Sequence, residues 1–182
     1  YAFFQHILCS MNNSNGRCAI LFPHGVLGRI IEKDIRKNLV EADLIDAIIG
    51  IGSHLFYNSA MPACILICRT HKNSSRKGNI LFINAKHLVT RSNSESYLED
   101  SHIKDIVKLY NDYADIEDVA RVVSLSEVRQ NGYKLNINRY AKGVGSQLDS
   151  SWKEFSIEEL VDSVIEQSLP LHTSIENFID SL

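Results

Sequence analysis

The residues most able to do chemistry lie between two apolar runs, 45–51 and 63–68. The connection GSHLFYNSAMP holds His54, Phe56, Tyr57, Asn58 and Met61. Connections ordinarily carry polar turn residues and give their aromatics to the core. A Phe-Tyr pair here therefore has two readings. Either a ring caps the sheet end and packs inward, or the rings serve something the chain binds. Tyr57 adds a hydroxyl able to hydrogen-bond. Asn58, Ser59 and Pro62 shape the loop, and Asn58 before Ser59 is also ordinary turn chemistry.

A second set, Pro23, His24 and Gly25, follows the apolar run 18–22. In open α/β sheets the carboxyl end of a strand edges the crevice where ligands bind. His24 could touch a substrate or DNA there, although a lone histidine is more often a solvent-exposed or locally satisfied residue. The basic segment with Arg69, His71, Lys72, Arg76 and Lys77 reads differently. Strand 63–68 runs back from the crevice, so these cations are expected at its far end, in a solvated turn.

Cys9, Cys18, Cys64 and Cys68 include no CxxC, which removes the simplest zinc and redox motifs, and no metal site is expected. All four read as reduced thiols packed as small hydrophobes, as suits the cytoplasm.

These residues must be positioned by regular elements. Residues 2–11 place Phe3, Phe4, Ile7, Leu8 and Met11 at helical spacing, and NNSNG at 12–16 ends that helix. CAILF (18–22) is a continuous apolar strand stopped by Pro23. Residues 30–42 give an amphipathic helix with Ile31, Ile35, Leu39 and Val40 on one side. Strands follow at 45–51, 63–68 and 80–84, then helices near 101–113 and 124–131. The first of these two helices is expected to face the core with Ile103, Ile106, Val107 and Tyr110. Ser124 and Glu127 have the spacing of a capping box at the second.

The 45–51 to 63–68 connection has no room for a crossover helix, so those strands cannot be parallel neighbours and are read as antiparallel. The expected fold is α/β, a mostly parallel sheet ending in one reversed strand.

The 182 residues suffice for one sizeable domain. A composition 45% hydrophobic and 23% charged is that of an ordinary globular protein. No apolar run approaches the roughly 20 residues of a spanning helix, so a soluble protein is expected. A net charge of −3 argues against a surface that is basic throughout, so any nucleic-acid contact must be local or come through a partner. The chain opens on Tyr1 and at once on an apolar helix, which reads as a start in mid-domain.

Five segments in order carry a resemblance: GRCAILFPHGVLGR, IRKNLVEADLIDAIIGI, LFYNSAMPACILIC, RKGNILFINA and VVSLSEVRQNGYKLNINRY. Over residues 2–140 the chain resembles the modification (M) subunit of type I restriction–modification systems, an adenine-specific DNA methyltransferase. Two positions depart from that family: Gly28 replaces a usual aromatic, and Ile30-Ile31 replace a glycine pair.

The resemblance implies the carboxyl-terminal half of a class I S-adenosylmethionine-dependent methyltransferase sheet, Rossmann-like, plus carboxyl-terminal helices. In that sheet the last strand is antiparallel and inserted between the fifth and sixth. Residues 18–22, 45–51 and 63–68 would be its fifth, sixth and seventh strands. The family's Phe-x-Gly-x-Gly cofactor turn and Asn-Pro-Pro catalytic loop have no counterpart in these residues, whose three prolines are isolated. The chain alone is therefore expected to be inactive, while the parent protein methylates the exocyclic amine of adenine.

On this mapping Phe56, Tyr57 and Asn58 are base-pocket candidates, because an aromatic in this segment stacks on the extruded adenine. Pro23, His24 and Gly25 edge the crevice. Residues 1–140 would complete the methyltransferase domain and 141–155 would be a linker. Helices in 156–182, with the stripe Ile157, Leu160, Val161, Val164 and Ile165, would dock a partner. The implied partners are DNA, the specificity (S) subunit and the restriction (R) subunit. The alternative is a non-catalytic α/β module that scaffolds a DNA-binding specificity subunit. Without a fourth strand beside it, 18–22 would be an exposed edge, and self-association is expected.

Overall fold

The computed structural model describes residues 2–57, 59–92 and 95–143. The predicted linker beyond residue 143, the docking stripe from Ile157 to Ile165 and Asn58 lie outside the described residues.

Helix α1 (Ala2–Ser10) leads into strand β1 (Arg17–Pro23), a short 3-10 turn (His24–Leu27) and helix α2 (Lys33–Glu41). Strands β2 (Ile45–Gly50), β3 (Ala63–Arg69) and β4 (Asn79–Asn84) follow, then a small hairpin of β5 (Thr90–Ser92) and β6 (Glu95–Tyr97). Helix α3 (Asp100–Asp112), strand β7 (Ala120–Ser124) and helices α4 (Leu125–Gln130) and α5 (Ile137–Tyr140) complete the order.

The main sheet runs β1-β3-β2-β4-β7. Strand β3 lies between β1 and β2 and is antiparallel to both, so β1 and β2 are parallel to each other. The reversed strand predicted from the short connection is therefore present, and it is inserted between β1 and β2 as the resemblance implies. The sheet does not end there, however. Strand β4 pairs parallel with the other side of β2, and β7 pairs antiparallel with β4. The sequence reading assigned no strand to 120–124, because its apolar residues adjoin a helix start without a break.

All six residues of β2 are buried, since helices cover both faces. On one face Ile48, Ile80 and Phe82 pack with Phe4, Val40, Val128 and Ile137 from the helices. On the other, Ala47, Ile49, Leu81 and Ile83 pack with Ile106 of α3.

Two amphipathic helices sit differently from their predicted stripes. In α2 the core face is Arg36, Leu39 and Val40, while Ile31 is 95% exposed ahead of the helix and Ile35 is exposed too. Arg36 is buried because backbone carbonyls receive it. Its Nε donates to Tyr133 at 3.0 Å, and its Nη1 donates to Val26 at 3.2 Å and Arg29 at 2.8 Å. In α3, Ile106 is buried but Ile103 and Val107 are exposed, and Leu109, Tyr110 and Tyr113 do the packing. Ser124 caps α4 as predicted, its Oγ accepting from the Glu127 amide at 3.3 Å. The reciprocal half of the box is not made by Glu127, whose carboxylate takes both guanidinium nitrogens of Arg121.

The basic segment after β3 is solvated only in part: His71 and Lys77 are exposed as expected, but Arg69, Lys72 and Arg76 are drawn inward. Asp46 of β2 has no exposed surface, and its Oδ2 receives Arg69 Nε at 3.1 Å, Arg76 Nη1 at 3.0 Å and the Tyr110 hydroxyl at 2.5 Å. Arg76 also lies over the rings of Tyr110 and Tyr113. Lys72 is buried and reaches Asp43 at 2.6 Å and the Asn79 carbonyl at 2.8 Å. Arg69 and Arg76 are spent on the buried Asp46, and Lys72 on the half-buried Asp43, at the far end of the sheet, where a buried charge requires a partner. Cys9 also departs from the packed reading and is exposed, whereas Cys64 and Cys68 are buried as expected.

Candidate functional site

Strands β1, β2 and β4 share one direction, so Pro23, Gly50 and Asn84 end at the same edge of the sheet. This is the edge where open α/β sheets bind ligands. Strand β3 begins there, so the 51–62 connection crosses the same edge.

His24 takes its place because Pro23 ends β1 and the chain turns into the 3-10 segment. Its Nε2 lies 2.8 Å from the Ala63 carbonyl, an acceptor only, so Nε2 carries the proton and donates. The same carbonyl accepts the Ile51 amide at 3.0 Å, and the two bonds pin both ends of the connection. Partial burial, then the charge of Lys86, hold the His24 pKa below its ordinary value, against the raising effect of the Ala63 bond. The imidazole is therefore neutral near pH 7, with Nδ1 as its acceptor face. Pro23 and Gly25 beside it are exposed.

Within the connection, the Ser59 amide donates to the Phe56 carbonyl at 3.1 Å, closing a tight turn with Tyr57 at its tip. Phe56 is 38% exposed and Tyr57 95% exposed, so neither ring caps the core. Leu55 makes the inward packing instead. The turn is held from outside: His54 has φ of 61°, and its carbonyl accepts the Ser96 amide of the small hairpin at 3.0 Å. Met61 is exposed as well. The result is an apolar, aromatic tip on a tethered loop at the crevice edge.

A third group was not singled out from the sequence. Asn84 is buried, its Nδ2 donating to the Ala141 carbonyl at 3.0 Å and to Asn138 Oδ1 at 3.3 Å. Lys86 Nζ donates to the same Asn138 oxygen at 3.0 Å, and burial lowers the pKa of that ammonium. Asn84 Oδ1 is buried without a hydrogen-bond partner. The signal was legible: ILFINAK turns polar at the end of an apolar strand, just where the crevice opens.

The described residues here offer hydrogen-bond donors, an aromatic tip and a positive charge. They suit recognition and positioning. No group of three or more His, Cys, Asp or Glu side chains among them is placed to hold a metal, and none of their helices is long and apolar enough to cross a membrane.

Residues 1–147 match the N-6 DNA Methylase family. The chain is similar to the type I restriction enzyme MjaVII methylase subunit of Methanocaldococcus jannaschii, with 43% identity over 123 residues, which is 65% of this chain and 21% of that protein. It is also similar to the MjaIX methylase subunit of the same organism, with 32% identity over 183 residues, 92% of this chain and 32% of that one. Among solved structures, the type I restriction-modification system methyltransferase subunit from Streptococcus thermophilus aligns with a TM-score of 0.72 at 33% identity. That alignment covers 77% of this chain and 30% of the other. The chain thus spans between about a fifth and a third of the proteins it resembles.

Proposed function

We propose a function from one premise: this chain belongs to the N-6 DNA methylase family. It serves as the carboxyl-terminal part of a type I restriction–modification methylase subunit, which transfers a methyl group from S-adenosylmethionine to the exocyclic amine of adenine in DNA. Its own share of the work is one wall of the target-base pocket. Its partners are DNA and the specificity subunit, the latter docked through 156–182.

The observation that carries this reading is the exposed Phe56-Tyr57 tip at the carboxyl edge of the parallel strands. An enzyme that modifies a base must lift it from the duplex, at a cost of a few kcal/mol, and stacking on an aromatic face offsets part of that. His24 fixes the end of β1 against the start of β3 and so braces the wall that carries the tip.

On this reading the glycine turn that holds the methyl donor belongs to another part of the methylase subunit. Gly50-Ile51-Gly52 is a Gly-x-Gly at a strand end, but it is packed from within. A Cβ at Gly50 would meet Ile137 Cδ1 at 2.8 Å, and one at Gly52 would meet Val89 Cγ1 at 2.7 Å. These glycines admit neighbouring side chains of this chain, not a cofactor.

Methyl transfer to an adenine-containing duplex by the intact subunit, assembled with its specificity subunit, tests the reading. Phe56→Ala and Tyr57→Ala are compared with wild type, and 2-aminopurine at the target position reports base extrusion. Base–aromatic stacking is worth about 1–3 kcal/mol, so a stacking ring predicts a loss of roughly 5- to 150-fold in kcat/KM and a weaker extrusion signal. Unchanged transfer and extrusion in both variants would remove the base-pocket role.

A further inference from the structure

We propose that a basic groove beside this edge is a track for the phosphodiester backbone of the bound duplex; the inference rests on the DNA-methylase reading above. The groove, about 810 Å³, runs between the turn after β1 and the segment carrying α5. Arg29, Lys134 and Arg139 line it together with Asn136 and Asn138, and no carboxylate among the described residues does. Three cations thus converge on one surface of a chain whose net charge is −3. Charge this local is what a polyanion selects, because contacts to phosphates displace condensed counterions.

These cations are not committed as others in the molecule are. Arg69, Arg76, Arg121 and Arg129 each meet a carboxylate at 2.8–3.1 Å. Arg29 approaches Glu32 only at 3.9 Å, with its side chain 61% exposed. Arg139 donates to the neutral Asn131 side chain at 3.0 Å. Lys134 is exposed, and its ammonium has no carboxylate partner among the described residues.

The floor is shaped by two glycines. A Cβ at Gly25 would lie 3.1 Å from the Arg29 guanidinium, and one at Gly28 would lie 2.6 Å from the Asn136 amide. Bare backbone at both positions lets those groups line the surface. Gly28 stands where an aromatic was expected from the family pattern, and here the missing ring leaves the Asn136 amide in place.

Position completes the argument. Gly25 adjoins His24, and Asn138 bonds both Asn84 and Lys86 at the end of β4. The groove therefore continues from the edge at which the aromatic tip lies. A duplex with one base drawn to that edge presents its flanking phosphates to the groove. The lining is polar and charged, which fits a backbone that carries no sequence information.

The test is the salt dependence of duplex binding by the intact subunit assembled with its specificity subunit, using one cognate and one non-cognate duplex. Each phosphate contact contributes about 0.9 to the slope of log K against log salt, so Arg29→Gln, Lys134→Gln and Arg139→Gln together should flatten it by roughly 3. Both duplexes should weaken alike. Arg29→Lys and Arg139→Lys should hold the wild-type slope, and Lys33→Gln with Lys37→Gln, on exposed positions of α2, should leave it unchanged. If the triple variant does not fold, Lys134→Gln alone must flatten the slope by about 0.9. A wild-type slope in these neutralised variants, while the parent binds and methylates DNA, overturns the groove and leaves the methylase reading standing. A parent that methylates no adenine-containing duplex overturns that reading and the groove with it.

Discussion

His24 shows how one hydrogen bond limits what a side chain can do. With Nε2–H given to the Ala63 carbonyl, the imidazole ties two strands together and keeps a single acceptor free. Its pKa is lowered in the folded state from the ordinary 6.5, mainly by burial. The unfolded chain then binds the proton more readily, so stability must rise with pH across this range. The contribution is fully present above pH 6.5 and is lost as pH falls below it toward the folded value. Thermal unfolding between about pH 8 and pH 5 should show this decline, and it should be smaller in His24→Gln, whose amide still donates but does not titrate.

The thiols make a second prediction at this scale. Burial pushes Cys64 up to about 12 and raises Cys68 as well, while Cys9 is exposed. Because the thiolate is the nucleophile, iodoacetamide should label Cys9 in the native protein and reach Cys64 and Cys68 only after unfolding. Mass spectrometry of the labelled peptides checks this.

At the scale of elements, the ion network under β2 explains how a polar, basic segment becomes structural. Asp46 is the second residue of a strand read as apolar, and its carboxylate gathers Arg69, Arg76 and Tyr110 from three other parts of the chain. Removing one member of a buried charge cluster typically costs about 3–5 kcal/mol, since the remaining charges lose their partner. Asp46→Ala should therefore lower the urea midpoint strongly. Tyr110→Phe, which removes hydrogen bonds and keeps the ring under Arg76, should cost about 1–3 kcal/mol. Equal and small effects for the two would mean that the network contributes little. The segment 69–79 looked solvated because a run of cations carries no mark of where its carboxylates lie; Asp43 and Asp46 are more than twenty positions away. The reversed strand, by contrast, was legible, because a short connection cannot hold a crossover helix.

At the scale of the molecule, β1 is an edge strand among the described residues, paired on one side only, with Leu21 48% exposed. Such an edge recruits further strands. Residues 1–182 on their own should associate in a concentration-dependent manner, as sedimentation velocity would reveal, and a protein that also supplies a strand beside β1 should not. A strictly monomeric chain at high concentration would mean that the edge is protected.

The sequence by itself determined the apolar strands at 18–22, 45–51, 63–68 and 80–84, the antiparallel turn-back of 63–68, the cap at Ser124 and the loop that carries Phe56 and Tyr57. Each of these follows from local spacing, connection length or side-chain type. Only the tertiary structure decided that neither ring is buried, that Arg36, Lys72 and Asp46 are interior, and that Asn84, Lys86 and Asn138 meet. Those outcomes depend on partners 20 to 100 positions apart, such as Arg36 with the Tyr133 carbonyl 97 residues away. A lone sequence states which groups can bond, and the fold states which ones are brought within reach.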